Sequence, residues 1–477
     1  MMDLCPVPDE AIIENRTFDE IAIGESVCTT HTLTREDIEL FAVVSGDVDP
    51  AHLDPAYAET DLFHRIVAHG MWGGALISAL LGTQLPGPGT IYLSQELKFL
   101  GPVGIGDSIT VRITVREKKP ETKRIVLDCQ AVNQAGGTVI TGTAEVQAPT
   151  EKIRRHRVEL PDVRLMRHQR FRDLLTAAAG RAAVPMAVVH PCDATSLAAA
   201  AEVAELGFVV PILVGPAGKI RAVAEQCGID ISRYRLVDAP HSHAAAARAV
   251  ELVHAGEAAL VMKGSLHTDE LMHEVVSPET GLRTERRISH VYVMDVPSYP
   301  RPLLITDAAV NIAPTLEVKR DIVQNAIDLA HVMGVERPKV AILCAVETVN
   351  PAMNATIEAA ALCKMADRGQ ITGGVVDGPL AFDNAVSPKA ARDKGIVSPV
   401  AGQADILVVP DLEAGNMLAK QLSFLAGADA AGVVVGASVP IILTSRADSE
   451  RTRVASCAVA VLMAQAKQAA PAVAIAS

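Results

Sequence analysis

The spacing of apolar and polar residues changes character once along the chain, between residues 149 and 166. Before that point the signal is period two. Ser108-Ile-Thr-Val-Arg-Ile-Thr-Val alternates strictly, as a strand with one buried face does. Residues 91–100, 124–133 and 138–146 carry the same partial alternation. Lys118-Lys-Pro-Glu and Asn133-Gln-Ala-Gly-Gly between them supply turn chemistry. A Thr-rich strand signal covers 27–34, and 35–41 reads as a brief amphipathic helix. The run over 70–82 is apolar on nearly every side and predicts a buried helix. A curved antiparallel sheet wrapped around that one helix is the economical packing.

After residue 166 short buried-strand runs alternate with helical segments. The runs fall at 186–190, 209–214, 236–239, 259–263, 290–295, 303–306, 340–345, 374–376, 406–409, 432–435 and 441–443. Ala-rich amphipathic helices are expected at 195–206, 318–333, 354–368 and 448–466. Near-continuous Val/Ile/Leu runs suit strands covered on both faces, which predicts an α/β fold with a largely parallel sheet. The length of this region suggests two lobes. The charged, Pro-bounded segment 149–165 reads as the linker between the two regions. Five of the seven residues from Lys152 to Val158 are basic, which suits a solvated face or, less simply, attraction for the phosphates of a nucleotide-bearing substrate.

Composition removes several function classes. A formal net charge of −13, with 3% aromatic residues and no basic stripe, argues against a nucleic-acid partner. No apolar run approaches the length of a membrane span, and the N-terminus lacks a signal pattern, so a cytoplasmic location is expected. Eight scattered cysteines without a Cys-x-x-Cys pair imply free thiols, with neither disulfides nor a zinc site.

The candidate chemistry of the first region lies in Ser45-Gly-Asp47-Val-Asp49-Pro50-Ala-His52, followed by His69-Gly70-Met71 at the head of the apolar helix. A carboxylate and an imidazole five positions apart, with Pro50 between them, suit a bent loop that aims both into one pocket. Asp47 and His52 would form an acid–base pair, and the amides at the helix start would stabilise developing negative charge. The second region offers Pro440-Ile-Ile-Leu-Thr-Ser445-Arg446-Ala-Asp448-Ser, a strand end running into a helix start. A hydroxyl and a guanidinium there form an anion site, or equally an N-cap and a structural ion pair. Walker, His-Glu-x-x-His and Gly-x-Ser-x-Gly motifs are absent.

From Phe41 to Val115 the segments Phe41–His52, Ile66-Val-Ala-His-Gly-Met and Leu85-Pro-Gly-Pro-Gly-Thr-Ile-Tyr-Leu-Ser-Gln-Glu-Leu-Lys-Phe resemble the (R)-specific enoyl-CoA hydratases of the MaoC-like family. That resemblance implies a hot-dog fold. It makes Asp47 and His52 the catalytic dyad, has the Gly70 N–H polarise the thioester carbonyl, and places Ser78 and Leu81 along the acyl pocket. Asp49 stands where Asn is common, a departure that could raise a neighbouring pKa or simply face solvent.

A second resemblance covers residues 166–468. Lys263-Gly-Ser-Leu-His-Thr, Arg287-Ile-Ser-His-Val, Asp307-Ala-Ala-Val-Asn-Ile-Ala-Pro, Asp377-Gly-Pro-Leu-Ala-Phe-Asp-Asn-Ala, Pro410-Asp-Leu-Glu-Ala-Gly-Asn-Met-Leu-Ala-Lys and the Ser-Arg-Ala-Asp-Ser segment are similar to the phosphate acetyl/butyryltransferases, in wording closer to the butyryl branch. It implies a homodimer with the active site in the cleft between two lobes. Ser445 and Arg446 would contact phosphate and thioester, with Thr268, Asn416 and Lys420 as further cleft candidates. A base a few residues beyond Arg446 is implied; Asp448 is one possibility, while an ungapped count also reaches Glu450.

The expected architecture is an α+β hot-dog domain over 1–148, a linker over 149–165 and an α/β two-lobed phosphate acyltransferase domain over 166–477. Lobe I would take 166–305 plus 440–477, and lobe II 306–439. The expected function is bifunctional: hydration of trans-2-enoyl-CoA and acyl transfer between CoA and phosphate, by a homo-oligomer. CoA thioesters and inorganic phosphate are substrates, and no bound cofactor or metal is expected. The alternative is a hydratase whose second domain senses acyl-CoA and oligomerises without catalysis.

Overall fold

The computed structural model of the protein describes residues 12–161, 163, 165, 169–443 and 449–469. The chain divides between Leu165 and Met166 into two compact units.

The first unit holds strands β1 (Ile12–Glu14), β2 (Ser26–Thr32), β3 (Ile91–Phe99), β4 (Ser108–Lys119), β5 (Arg124–Asn133), β6 (Thr138–Gln147) and β7 (Arg154–His156), with helices α1 (Arg35–Ser45), α2 (Pro50–Leu53), α3 (Pro55–Thr60) and α4 (Gly70–Thr83). β2, β4, β5, β6 and β3 form, in that order, an antiparallel sheet. Alternation along β4 turns Ile109, Val111, Ile113 and Val115 inward, and all four are buried. Ile77, Leu80 and Leu81 of α4 complete the same core. Sheet and helix approach so closely that a Cβ on Gly73 would lie 2.3 Å from Ile140 Cδ1. This is the hot-dog arrangement, one apolar helix wrapped by a curved sheet.

Local chemistry bends the chain ahead of α4. Thr34 and Asp37 form a reciprocal capping box that starts α1, and Gly46 ends it in the left-handed conformation at φ 75°. The chain then turns at once, because Asp49 caps α2 through Ala51 N and Pro50 occupies its first helical position. Asp49 is therefore a capping residue.

Part of the expected linker belongs to this first fold. β7 pairs antiparallel with β1, and Lys152 Nζ donates to Asn15 O at 2.7 Å and to Glu20 at 2.9 Å. Lys152 and Arg154 also pair with Glu14.

The second unit contains β8 (Val184–Val189), β9 (Val209–Gly215), β10 (Arg235–Asp238), β11 (Leu260–Lys263), β12 (Ser289–Asp295), β13 (Leu303–Thr306), β14 (Lys339–Leu343), β15 (Val375–Leu380), β16 (Ile406–Val408), β17 (Asp429–Val435) and β18 (Ile441–Ile442). They form one sheet, ordered β10-β9-β8-β11-β18-β17-β12-β13-β16-β14-β15. Two parallel blocks lie at its ends, joined by antiparallel β17 and β12, which pair over seven residues. The two expected lobes are thus two halves of a continuous sheet. β18 joins β11, so residues near the C-terminus complete the first half, and the helix Glu450–Ala469 buries its Ala- and Val-rich face there.

Cys129, Cys192, Cys227, Cys344, Cys363 and Cys457 are free, but Cys28 is disulfide-bonded, against the expectation of free thiols throughout. A bridge requires nearness in space, which the sequence spacing of cysteines does not report. None of the helices among the described residues is long and apolar enough to cross a membrane.

Leu81 is 1% exposed in the first core. Leu81→Ala is expected to destabilise that unit by about 2–5 kcal/mol. The chain's one tryptophan, Trp72, is buried in α4, so a urea titration followed by its fluorescence reads this unit alone. An unchanged midpoint would contradict the packing.

Candidate functional site

In the first unit, Asp47, His52 and His69 each present an oxygen or ring nitrogen, all within 4.8 Å of one another. Asp47 is exposed, His52 half-buried and His69 buried. His52 Nδ1 lies 2.8 Å from Val67 O. A carbonyl oxygen only accepts, so Nδ1 is the protonated nitrogen of neutral His52, and Nε2 is left open to take a proton. Asp47 accepts at 3.3 Å from Asp49 N, while its own N–H donates to Ser45 Oγ at 3.2 Å. The loop therefore fixes the carboxylate through main-chain groups and leaves it facing solvent.

Beside this cluster opens a cavity of about 410 Å³, lined by His52, His69, Gly70 and a mostly apolar wall that includes Phe63, Trp72, Phe99 and Ile140. Gly70 is the first residue of α4, and the first amides of a helix have no intrahelical partner. They give the cavity a donor end with positive helix-dipole character. A Cβ at Gly70 would sit 3.4 Å from the Phe99 ring, so any side chain there would narrow the opening. Among the described residues this is the one group of three or more such side chains placed to hold a metal ion, with two imidazoles and a carboxylate.

Ser78 and Leu81 are not among the residues that line this cavity. The cavity opens at the N-terminal end of α4, whereas Ser78 lies two turns further on, exposed, and Leu81 is inside the core. His69 went unassigned in the sequence. No sequence signal marks it; in the structure it is the N-cap residue of α4 and makes no side-chain cap bond.

In the second unit a cavity of about 920 Å³ lies over the carboxyl end of β13, the location where open α/β sheets bind ligands. Thr268, Arg283, Arg286 and Arg287 line it, as do Asn311 and Asp321. Its floor is a turn built on Asp307, which is 2% exposed. One carboxylate oxygen accepts from Ala309 N and Val310 N, each at 3.0 Å; the other accepts from Asn311 N at 3.1 Å and Asn311 Nδ2 at 2.5 Å. Arg287 Nε donates to Asn311 Oδ1 at 3.2 Å, and the Arg287 main-chain N–H donates to Asp321 at 2.9 Å. Arg286 pairs with Asp328. The network holds cationic side chains at the rim, suited to an anionic ligand.

Residues 242–461 match the family model described as Phosphate acetyl/butaryl transferase, and residues 19–134 match the MaoC like domain. A phosphate acetyltransferase of Rhizobium meliloti is 65% identical over 63% of this chain and 96% of its own length. The chain belongs to the phosphate acetyl/butyryltransferase family. Its transferase domain is fused behind a MaoC-like domain.

A phosphate butyryltransferase of Clostridium acetobutylicum is 42% identical over 62% of this chain and 98% of that protein. Relatives of both branches thus match the domain over nearly their whole length. A branched-chain phosphotransacylase from Enterococcus faecalis V583 has a solved structure with 30% identity and a TM-score of 0.53, covering 59% of this chain and 99% of that one. Unliganded R-hydratase PhaJ1 from Pseudomonas aeruginosa is 44% identical over 32% of this chain and 99% of its own, with a TM-score of 0.32.

Within the transferase domain, Thr268 lies on the wall of the large cavity. Asn416 supports its floor from behind, donating to Ala308 O at 3.3 Å. Lys420, one turn further along the helix Leu412–Leu425, is exposed and outside the lining. The helix begins at the cavity, which Leu412 lines, and has left the lining by Lys420. Ser445, Arg446 and Asp448 lie outside the described residues.

Beneath the floor, His290 is 1% exposed and accepts at its carbonyl from Thr306 Oγ1 at 2.8 Å. Burial pushes its imidazole down from 6.5 to about 4, with the nearby Asp307 charge opposing. The native state therefore favours neutral His290. Its contribution is present above pH 6.5 and lost as pH falls from there toward about 4. The stability of the transferase domain, from urea midpoints read by circular dichroism, is expected to decline across that window. His290→Gln should flatten the decline; an unchanged slope would contradict the assignment.

Proposed function

We propose that the protein carries out two reactions on CoA thioesters. The MaoC-like domain adds water reversibly to trans-2-enoyl-CoA to give (R)-3-hydroxyacyl-CoA. The transferase domain exchanges an acyl group between CoA and inorganic phosphate. The observation that carries the first reading is the clustering of Asp47 with His52 and His69 beside one apolar cavity, which His52, His69 and the start of α4 line. An apolar wall suits an acyl chain, and the Gly70 N–H suits the thioester carbonyl, where negative charge develops as water adds to the β-carbon. Asp47 and His52 then move protons between water and the α-carbon.

For the transferase domain, family membership and the arginine-rimmed cavity support a reaction in which phosphate, held by Arg446 and Ser445, attacks the thioester carbonyl. A tetrahedral oxyanion forms and CoA thiolate leaves; in the reverse direction a nearby carboxylate such as Asp448 takes the thiol proton. Positioning two anionic substrates and stabilising the oxyanion are the main contributions. A cytoplasmic setting supplies both substrates. A homo-oligomer fits the exposed apolar side chains of edge strand β3, where Ile91, Tyr92 and Leu93 are each at least 40% exposed.

Two variants separate the activities. Asp47→Asn is expected to lower enoyl-CoA hydration on the order of 10²–10⁴-fold, leaving transfer intact. Arg446→Ala is expected to lower acyl phosphate formation on the order of 10²–10³-fold, leaving hydration intact. Spectrophotometry at the enoyl thioester band reads the first, and hydroxylamine trapping of acyl phosphate reads the second. Wild-type protein that yields no hydroxamate with any short acyl-CoA would make the second domain a binding module.

A further inference from the structure

His69 is 3% exposed, yet it takes no part in capping the helix it precedes. Its ring lies between Phe41, with centroids 5.1 Å apart, and His52, with centroids 4.0 Å apart and planes tilted by 40°. Its Nε2 is 3.1 Å from the main-chain oxygen of Asp47. That oxygen accepts, so Nε2 carries the proton, and Nδ1 of the neutral ring is a bare acceptor. Nδ1 is buried and has no hydrogen-bond partner among the described residues. A buried acceptor left bare costs stability, and such an atom calls for an explanation. Here the ring borders the cavity that would hold the reacting groups.

We propose that His69 is a third catalytic residue of the hydration, its Nδ1 accepting one O–H of the reacting water; this rests on the hydratase reading of the first domain. His52 Nε2, the unpartnered His69 Nδ1 and the Asp47 carboxylate then share the water. The O–H that points to His69 survives as the new hydroxyl. The other proton passes to the Asp47–His52 pair as the oxygen bonds to the β-carbon. The π electrons move toward the α-carbon, and that carbon takes one proton from the pair, so the elements of water are added and the pair is restored. His69 thereby selects which lone pair of the oxygen meets the β-carbon, while Nε2 ties the Asp47 loop to the same ring.

Two substitutions divide these roles. His69→Gln sets an amide nitrogen near the Nε2 position, keeping a donor for the Asp47 carbonyl and leaving nothing at Nδ1. His69→Asn sets an amide oxygen near Nδ1 and gives up the reach to Asp47. The expected result is a kcat lower by roughly tenfold in His69→Gln with KM little changed, and a clearly smaller loss in His69→Asn. Wild-type kcat in His69→Gln, or a larger loss in His69→Asn, would overturn the proposal and leave His69 as a clamp on the loop. Trp72 fluorescence establishes that each variant is folded. An independent readout needs no variant: ¹⁵N-histidine NMR of the full chain, titrated with (R)-3-hydroxybutyryl-CoA. The Nδ1 resonance of His69 is expected to shift as the hydroxyl donates to it, and an unmoved resonance in the saturated complex would overturn the proposal. Absence of hydration by the wild-type chain would instead remove the hydratase reading itself.

Discussion

The chemistry of the first domain depends on where burial leaves the N-terminal end of one helix. α4 is apolar on almost every side, so it is stable only when the curved sheet surrounds it, and its axis is then fixed by Ile77, Leu80 and Leu81 against the sheet. That fixes the first-turn amides at Gly70. Two hydrogen bonds to carbonyls then fasten the rest: His52 Nδ1 to Val67 O and His69 Nε2 to Asp47 O. Each joins the segment that carries Asp47 and His52 to the approach of α4. Each also sets an imidazole tautomer, so one set of contacts determines both position and protonation.

The second domain uses a different constraint with a similar result. Antiparallel β17 and β12 join two parallel blocks into one sheet, and the turn after β13 closes over Asp307. Main-chain amides and Asn311 satisfy that buried carboxylate fully. Asn311 also receives Arg287, so the cationic rim is oriented by the same buried group that shapes the floor. Both domains thus hold exposed chemistry on buried, fully bonded backbone, as a rigid site requires. Under the proposed function, linking them in one chain serves a shared CoA handle, with an effective concentration set by how the tether lets the sites meet.

Much of this was legible in the sequence where periodicity carries information. Strict alternation over Ser108 to Val115 marked β4, and each expected run in the second unit corresponds to an observed strand. Bounds moved by a few residues, as at 374–376, which became Val375–Leu380 through the Asp377-Gly-Pro-Leu segment. Pairings distant in the chain were not legible. β1 and β7 are more than a hundred residues apart, and β7 has only three residues, too few for a pattern. Site geometry was partly legible. The Asp47–Pro50–His52 spacing indicated a bent loop, but helical spacing alone could not separate a cavity wall from a core face. Ser78, Leu81 and Lys420, which came from the resemblances, lie outside the lining of the two cavities. His69 was missed because a histidine ahead of an apolar run carries no pattern of its own; only its unpaired Nδ1 distinguishes it.

The central claim is that one polypeptide grips the same thioester handle in two pockets, adding water in the first and exchanging thiolate for phosphate in the second. The most direct measurement is a single incubation of the purified chain with crotonyl-CoA and inorganic phosphate, followed by ¹H and ³¹P NMR and by chiral analysis of the hydroxyacyl product. The account predicts 3-hydroxybutyryl-CoA of the R hand alone, together with an acyl phosphate resonance and free CoA. A racemic or S product, or the absence of both products, would contradict it.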